Sequence, residues 1–436
     1  MDSLTELETY ANELITAVKG LAGYSLSTEV SQSSASQPSS DPGAQKECHR
    51  AKACILSNIA KIKMLVSEPT GFLENLTTQM QILACLRWLG EFQILACIPL
   101  VGSVSIKDVA HLSGVPETYL DRIVRLTATS GFLHVSQPSH VSHTPLSAPF
   151  VTNPSLLDAV MFLAESAAPA ALQMAAATQQ FGDSHQPNET AYNMALGTTK
   201  PFHTAHKEQP KLSRQWSSYL NYAEGLHAVG SITDILTQLN WSNISHVARC
   251  VVEVGAQSTA TARGLADMHP SLHFVVQITD PASTIPVNKL ISPFDRELGI
   301  SPRIKVTNRV LGTRQVNTDA AIYILHLPSS LSAIRAELQV HLEALRANGG
   351  IMLILTARLL PEPGSMPNPE VEAVARSRGL SLLQLANEAE IEMVELLELI
   401  GTVRDNVGKL IVTNKLRSRN SLVVALVVEH QVDVKA

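Results

Sequence analysis

The chain has 436 residues, of which 45% are apolar and 17% are charged, and its formal net charge is −6. This length and composition predict two or three globular domains with a large buried core. Residues 1–47 hold seven acidic and two basic residues, so the rest of the chain is almost neutral. A neutral body argues against phosphate-backbone binding as the main function, because such binding requires clustered Lys and Arg.

The cysteine pattern and the apolar runs exclude further classes of protein. The five cysteines show no C-x-x-C spacing, and they are too few for a zinc-cluster DNA-binding module. Scattered cysteines in a chain with a large core indicate a reducing compartment and buried thiols. The N-terminus lacks a signal sequence, and the longest apolar runs are too short to span a bilayer. We therefore expect a soluble, intracellular protein that does not bind membranes.

The first predicted element is an amphipathic helix over residues 3–22, so residues 1–24 form a separate segment. Its apolar side chains follow a heptad pattern: Leu4, Leu7, Ala11, Leu14, Val18 and Leu21. Such a short seam favours a helix folded back on the body of the protein over a dedicated partner helix. Residues 25–45 are rich in Ser, Gln and Pro, which predicts a flexible linker.

Residues 46–150 form the next predicted domain, with helical periodicity over 46–66 and 72–101. It ends in signals typical of a winged helix. In chain order these are a helix over 106–113 capped by Ser105 and Asp108, a stop at Gly114, a second helix from Pro116 to Gly131, a strand over 132–135 and a polar turn at 136–140.

Neither the winged helix nor the following segment carries a strong ligand signal. The second helix of the winged helix offers only Arg122 and Arg125, with Asp121 beside them, which argues against DNA readout. Residues 151–240 are a mostly helical, Ala-rich connector. His203 and His206 can share a helix face there, but no carboxylate or cysteine accompanies them, so we predict no metal site.

Residues 241–436 are predicted to form a Rossmann-like domain, which makes the fold class α/β. A β-branched run at 250–254, a glycine turn, a helix up to Pro270 and a second strand at 272–277 form the opening unit of a doubly wound sheet. The remaining predicted elements are strands over 303–309, 320–327, 351–356, 409–413 and 422–429, and helices over 332–346 and 382–400.

At this opening unit the chain resembles class I S-adenosylmethionine-dependent O-methyltransferases that carry an N-terminal winged-helix dimerisation domain. Glu253 and Gly255 match the family's acid and its first glycine, but Ala256, Gln257 and Thr259 stand at the next glycine positions. A side chain is strained where the backbone needs a left-handed conformation. The family's second acid should follow Gln277, where the chain has Ile278. We therefore expect a dismantled cofactor site, in which Glu253, Gly255 and Asp280 are vestigial candidates.

The resemblance also implies a catalytic histidine in a His-Asp-Trp run after the fourth strand of the sheet, and this chain lacks that run. A phenol must lose its proton before it accepts a methyl group, so a base is required. His326 lies inside the strand, which favours a core or edge histidine, and His341 has no acid placed to orient it. We therefore predict no catalytic residue.

Within this fold the chain resembles a narrower group, the fungal methyltransferase-like transcriptional coactivators of aromatic polyketide clusters of the aflatoxin and monodictyphenone type. The resemblance is densest at residues 81–100 (QILACLRWLGEFQILACIPL) and recurs at 193–197 (NMALG) and 252–258 (VEVGAQS). It implies a nuclear, non-catalytic homodimer without cofactor or metal.

The same resemblance implies that the protein assists a zinc-cluster (Zn2Cys6-type) transcription factor and binds no nucleic acid itself. Two alternatives are open. One is a working S-adenosylmethionine-dependent O-methyltransferase that acts on a polyketide phenol. The other is direct DNA binding through the winged helix.

Overall fold

The structure is a computed structural model that describes residues 2–32, 42–225, 232–241, 250–256, 259–278, 301–328, 331–348, 352–366, 368–418 and 423–432. The chain divides into two compact units. The first comprises Met1–Leu226 with Pro367–Asn387, and the second comprises His227–Met366 with Glu388–Ala436. This division differs from the sequence-based one, which placed boundaries at 150 and 240 and assigned residues 367–387 to the Rossmann-like domain.

The described residues form helices in both units and strands mainly in the second. The helices are α1 Asp2–Gln32, α2 Pro42–Val66, α3 Pro69–Glu91, α4 Ile106–Ser113, α5 Glu117–Thr129, α6 Pro149–Thr152, α7 Pro154–Phe162, α8 Ala168–Leu172, α9 Met174–Phe181, α10 Ala191–Leu196, α11 Phe202–Glu208, α12 Pro210–Gly225, α13 Ile232–Leu236, α14 Ala260–Met268, α15 Leu331–Asn348, α16 Pro369–Ala386 and α17 Met393–Thr402. The strands are β1 Val104–Ser105, β2 Leu133–Gln137, β3 His140–His143, β4 Cys250–Ala256, β5 His273–Ile278, β6 Ile304–Asn308, β7 Ile322–His326, β8 Met352–Arg358, β9 Gly408–Arg417 and β10 Val423–Val432.

The predicted linker over 25–45 is partly wrong, because α1 continues to Gln32 and α2 already begins at Pro42. No Gly or Pro interrupts residues 25–32, and the Ser, Thr and Val present there cost a helix only a few tenths of a kcal/mol each. Proline suits the first turn of a helix, where its missing N–H is not needed. Residues 33–41 lie outside the described part of the chain.

The winged helix is confirmed in its elements. The Ser105 side chain accepts a hydrogen bond from the Asp108 N–H, which caps α4, and Gly114 ends that helix with φ 69°. Strands β1, β3 and β2 pair in that order as a small antiparallel sheet, and β2 and β3 form the wing. Its core packs Leu89, Ile106 and Leu120 together with neighbouring apolar side chains.

The predicted helix over 72–101 ends earlier, at Glu91, because Gln93 adopts the left-handed conformation with φ 52°. A short 3-10 turn at Ile94–Cys97 follows. The pentapeptide QILAC occurs twice, at 81–85 and 93–97, and the second copy does not continue the helix that carries the first.

The central helices of the first unit surround an aromatic core of Phe162, Tyr192, Phe202 and Trp216. The stretch Pro154–Leu172 has the length and hydropathy of a membrane-spanning helix. Its middle is a π-helical turn, Leu163–Ala167, and its acidic residues form ion pairs with α12. These features fit a core segment of the first unit, since such segments pass the same length and hydropathy test.

The second unit is built on a seven-stranded sheet in the order β6-β5-β4-β7-β8-β10-β9. Strands β6, β5, β4, β7 and β8 are parallel, whereas β10 is antiparallel to β8 and β9. Alternate residues of β4 face opposite sides of the sheet. Val252 and Val254 contribute to a cluster with α15 and α17, and Val251 contributes to a cluster with α13 and α14. The α/β class and the Rossmann-like arrangement are thus confirmed.

The predicted single helix over 382–400 is wrong, because two helices cover this region. Asn387 ends α16 with φ 55°, and its side-chain amide donates to the carbonyls of Ser184, Gln186 and Glu189. Asn tolerates the left-handed conformation better than most residues, which makes it a natural helix stop. Helix α17 then starts with a capping box between Glu392 and Glu395.

Candidate functional site

The sequence-predicted cofactor residues lie where the strand order of the large sheet reverses. Strand β4 has β5 on one side and β7 on the other, and their connections run in opposite directions along the sheet. In open α/β sheets, ligands bind outside the carboxyl ends of the strands at this switch point. Glu253 and Gly255 lie near the carboxyl end of β4, and His326 is the last residue of β7.

Glu253 and His326 form a buried clasp across the switch point. The Nε2 atom of His326 lies 2.7 Å from Oε1 of Glu253, whose side chain is 1% exposed. The other ring nitrogen, Nδ1, lies 3.2 Å from the hydroxyl of Thr356 on β8. The clasp therefore links three adjacent strands through one imidazole ring.

This arrangement argues against His326 as a base. Both of its ring nitrogens already have hydrogen-bond partners, so neither is available to take a proton from a substrate. Within the described chain, Oε2 of Glu253 is buried and has no hydrogen-bond partner. His326 is thus a partly buried residue at the end of a central strand, with its ring held by Glu253 and Thr356.

Gly255 is required by the sheet itself. Its φ is 74°, it lies at a bulge where the register between β4 and β5 shifts, and an added Cβ would lie 3.0 Å from the His326 carbonyl oxygen. Only glycine adopts this conformation easily. The match of Gly255 to the methyltransferase pattern thus has a structural cause that needs no ligand.

The other glycine positions behave differently from our expectation. Ala256 is the last residue of β4, and Thr259 has φ −84°, so neither has a left-handed backbone. The backbone strain predicted at these two residues is therefore wrong. Gln257 lies outside the described residues.

The position expected for the ribose-binding acid is apolar. Ile278 ends β5, is 2% exposed and packs in the cluster that contains Phe274 and Val276. The preceding Gln277 forms a reciprocal, buried amide pair with Gln315, at 2.7 and 3.0 Å. Asp280 lies outside the described residues. The described residues at the end of β5 therefore lack the acid that the resemblance requires for binding the ribose of S-adenosylmethionine.

A second buried polar cluster lies on the side of the sheet that α15 covers. Arg309 donates from Nη1 to both carboxylate oxygens of Glu337, at 3.1 and 3.0 Å, and the Gly312 N–H also donates to Glu337. His341 Nδ1 lies 2.7 Å from the Glu337 carbonyl, and burial lowers the pKa of this histidine. The cluster fixes the loop after β6 against α15.

Sequence reasoning missed Arg309 and Glu337, although one signal was available. Glu337 and His341 fall on the same helical stripe as Ile334, Leu338 and Leu345, which are all buried. A charged residue on an apolar stripe indicates a buried ion pair. The expectation that no acid lies near His341 was wrong, because Oε2 of Glu337 lies 3.5 Å from its Nδ1 atom. The ring is nevertheless fully buried, so it is not a candidate base.

The two further ligand candidates do not assemble into sites. The rings of His203 and His206 lie 5.7 Å apart, and the described residues contain no group of three or more metal-ligating side chains. On α5, Arg125 forms a 2.8 Å ion pair with Asp121. The acid offsets the charge of one of the two basic side chains on this helix.

The amphipathic helix α1 folds back on α2. Leu7, Leu14 and Leu21 of its seam are half-buried, and Lys61 of α2 lies 4.9 Å from the ring centroid of Tyr10. An open groove of about 650 Å³ lies between the two helices and is lined by residues of both. The favoured interpretation, a helix folded back on the body, is confirmed for its packing on α2.

The end of α2 and the first half of α3 leave large apolar side chains in solvent. This exposed surface comprises Met64, Leu65, Val66, Phe72, Leu73, Leu76 and Met80. The first described buried residue of α3 is Cys85. The four members on α3, Phe72, Leu73, Leu76 and Met80, fall within an arc of about 100° around the helix, and exposed apolar stripes of this kind are typical of interaction sites.

In fold, the chain is similar to O-methyltransferase-like proteins of known structure. It matches OxaC solved with SAH and oxaline (15% identity, TM-score 0.62, 98% of this chain and 100% of that chain). It also matches LepI in complex with SAM (14%, 0.65, 97% and 100%) and the mitomycin 7-O-methyltransferase MmcR (16%, 0.61, 83% and 97%). At these identities the likeness shows the fold alone, and it confirms the predicted methyltransferase-like architecture.

In sequence, the chain is similar to fungal regulatory proteins over its whole length. It is 52% identical to the transcriptional coactivator nsrH of Aspergillus novofumigatus, and the match covers 100% of this chain and 100% of nsrH. It is 47% identical to the notoamide cluster coactivator notR of an Aspergillus species (99% and 98%), and 44% identical to the monodictyphenone cluster coactivator mdpA of Emericella nidulans (99% and 99%). Residues 4–67 match the family described as the N-terminal domain of the trypacidin cluster transcriptional coactivator tpcD. The chain belongs to this family of fungal secondary-metabolite cluster coactivators.

Proposed function

We propose that the protein is a non-catalytic transcriptional coactivator that assists a zinc-cluster DNA-binding activator in switching on a fungal aromatic polyketide gene cluster. The observation that carries the non-catalytic part is the clasp between Glu253 and His326. It engages the acid that matches the cofactor-binding pattern and occupies both nitrogens of the nearest histidine. The proposed coactivator role rests on full-length similarity to proteins that bear this name.

The proposed partner is a Zn2Cys6-type transcription factor, and the proposed compartment is the nucleus. The chain has too few cysteines to form such a zinc cluster itself. One of the two arginines on α5 is paired with an acid of the same helix. Sequence-specific DNA contact is therefore assigned to the activator.

We also propose a homodimer, in line with the methyltransferase resemblance. The exposed surface of α3, with Phe72, Leu76 and Met80 at 60, 51 and 60% exposure, supports an association of this kind. Analytical ultracentrifugation of the full chain and of the variant Phe72→Ser/Leu76→Ser tests it. We expect a dimer for the parent and a monomer for the variant, and a monomeric parent would contradict the proposal.

Co-precipitation of the full chain with the zinc-cluster activator of its own gene cluster tests the main proposal. We expect direct binding, together with an activator-dependent increase in transcription of the cluster genes. A deletion of residues 1–24 tests whether α1 is part of the contact. Absence of binding to the activator would remove the partner from the proposal.

The alternative function is an S-adenosylmethionine-dependent O-methyltransferase acting on a polyketide phenol, because Glu253 and Gly255 match the acid and the first glycine of that family's cofactor-binding pattern. Calorimetry with S-adenosylmethionine separates the two functions. Micromolar binding would support the enzyme and contradict a dismantled site. Direct DNA binding through the winged helix would instead produce a strongly salt-dependent shift of cluster promoter DNA without the activator. We expect neither signal.

A further inference from the structure

The two N-terminal helices carry opposite charge. Helix α1 contains five acidic residues and one Lys, whereas α2 contains five Lys or Arg and one Glu. The net charges are therefore −4 for α1 and +4 for α2. Helix α1 packs along α2 beside a groove whose lining includes Glu13 and Arg50, and Lys61 lies over the Tyr10 ring, so one face of α2 already holds an acidic amphipathic helix.

A second face of α2 has the same chemistry and remains exposed. We call it the outer α2 stripe, and it consists of Lys52, Leu56, Ile59, Lys63 and Val66. At 3.6 residues per turn these five positions fall within an arc of about 80°. Leu56 and Ile59 are 54 and 48% exposed, although both are large aliphatic side chains.

The outer α2 stripe points away from α1. The α2 residues that face α1 include Arg50, Cys54 and Lys61, and these lie about half a turn around the helix from the stripe. Helix α16 also packs on α2, yet the stripe remains exposed beside it. A ligand on the stripe would therefore not displace α1.

We propose that the outer α2 stripe docks an acidic amphipathic helix of a partner protein. Its two apolar side chains would contact the apolar face of that helix, as in helix-in-groove recognition. Lys52 and Lys63 lie about 16 Å apart at 1.5 Å per residue, so they would select acidic residues spaced about eleven positions apart on the incoming helix. This inference deepens the proposed coactivator function by specifying the chemistry of the partner segment.

The pattern favours a helix over a phosphate polymer or a membrane. Phosphate-backbone binding needs several adjacent basic residues, whereas the stripe places two lysines at the ends of an apolar segment. Membrane-surface helices carry rows of Lys and Arg along a polar face and a wide apolar face. The stripe instead has a narrow apolar centre with one charge near each end.

The test measures fluorescence anisotropy of a labelled synthetic helix with the full chain. The probe has leucines at helical spacing and two Glu residues eleven positions apart on the same face, and a control peptide carries Lys in place of both Glu. We expect the acidic probe to bind and the basic control not to bind. Binding should weaken as NaCl concentration rises.

The decisive variant is Lys52→Glu/Lys63→Glu, and the matched control is Lys107→Glu/Lys409→Glu, which changes the net charge equally at exposed positions elsewhere. We expect the first to weaken binding about tenfold or more and the second to leave it nearly unchanged. A second variant, Leu56→Ser/Ile59→Ser, should also lose binding. Circular dichroism and thermal unfolding check that all variants fold.

Three results would overturn the proposal. The first is no binding of the acidic probe, or binding that the stripe variants leave unchanged. The second is a tighter, stripe-dependent interaction with anionic phosphatidylserine vesicles or duplex DNA. The third is dissociation of a dimer by the stripe variants, which would assign the surface to a second copy of the chain. Because the probe is synthetic, each result is independent of whether the zinc-cluster activator co-precipitates.

Discussion

The carboxyl ends of the central strands in the second unit and the N-terminal helices of the first unit differ in whether their side chains are paired or exposed. At the carboxyl ends of these strands, His326 is hydrogen-bonded to both Glu253 and Thr356, and Gln277 pairs with Gln315. Along α2 and α3, by contrast, large apolar side chains are exposed within the described chain. The polar side chains near the expected cofactor site are thus mostly hydrogen-bonded to one another, with Oε2 of Glu253 as the exception in the described chain, whereas large exposed apolar side chains lie on the helices. On the proposed function, the sheet serves as a scaffold and the helices make the contacts.

The largest effect is expected at the buried ion pair of the second unit. Glu337→Ala leaves the Arg309 guanidinium buried without its partner, because the two side chains are 0 and 6% exposed. Removing one member of a buried pair costs about 3–5 kcal/mol. Denaturant unfolding measures the loss. The matched control is Glu343→Ala on the same helix, which is exposed and should change stability little; equal effects for both would refute the structural role of Glu337.

The clasp at the switch point is the next most sensitive feature. His326→Ala leaves the buried Glu253 carboxylate without its hydrogen-bond donor, which costs about 1–3 kcal/mol. His273→Ala, at an exposed position of β5, provides the control. Thermal unfolding gives the stability, and calorimetry asks whether opening the clasp creates affinity for S-adenosylmethionine. We expect destabilisation without binding, so a gain of binding would weaken the scaffold interpretation.

A substitution of Gly255 tests whether the backbone conformation alone requires glycine at this position, without a ligand. Gly255→Ala places a side chain at φ 74° and a Cβ 3.0 Å from the His326 carbonyl, which costs about 1–2 kcal/mol. Gly401→Ala, inside α17 with open space around it, should be neutral or slightly stabilising. Chemical unfolding of both variants without any ligand checks this. An unaffected Gly255→Ala variant would contradict the strained bulge.

Local signals were enough to predict much of the fold. The two helices of the winged helix were predicted to within about two residues, since Ser105, Gly114 and Gly131 act within a few positions of the elements they delimit, whereas β1 was not predicted and β2 extends into the predicted turn. The parallel strands were predicted from their β-branched runs, as Ile322 and Val251 illustrate. Glu253 and Gly255 lie at the switch point because the predicted strand, glycine turn and helix begin the sheet there.

What could not be predicted depends on contacts distant in sequence. The partner of Glu253 is 73 positions away, and no local pattern indicates which histidine reaches it. The end of α16 depends on Asn387 meeting carbonyls about 200 positions earlier. Likewise, nothing in the heptad pattern of α1 reveals that α2 is its partner. Tertiary contacts decided all three.

The pH dependence of stability tests the buried cluster of Arg309, Glu337 and His341 with a smaller expected effect. Burial lowers the pKa of His341 below its ordinary value of 6.5. Just below pH 6.5, this histidine therefore binds a proton in the unfolded chain but not in the folded chain. This contribution to stability is complete above pH 6.5 and is lost as the pH falls through 6.5 toward the lowered pKa. The slope is at most about 1.4 kcal/mol per pH unit for one proton. We expect His341→Gln to flatten the stability curve between pH 7.5 and 5, and an unchanged slope would contradict the assignment.

The smallest effect on stability is expected where the proposed interaction is strongest. Leu56 and Ile59 are about half exposed, so Leu56→Ser/Ile59→Ser removes little buried surface from the folded chain. Surface substitutions of this kind usually change stability by less than about 0.5 kcal/mol each. The variant should therefore unfold at nearly the same temperature as the parent and yet no longer bind the acidic probe peptide. If the variant unfolds at a much lower temperature than the parent, these side chains are part of the core of the first unit. The contrast between hydrogen-bonded side chains at the strand ends and exposed apolar side chains on the helices would then fail at this position.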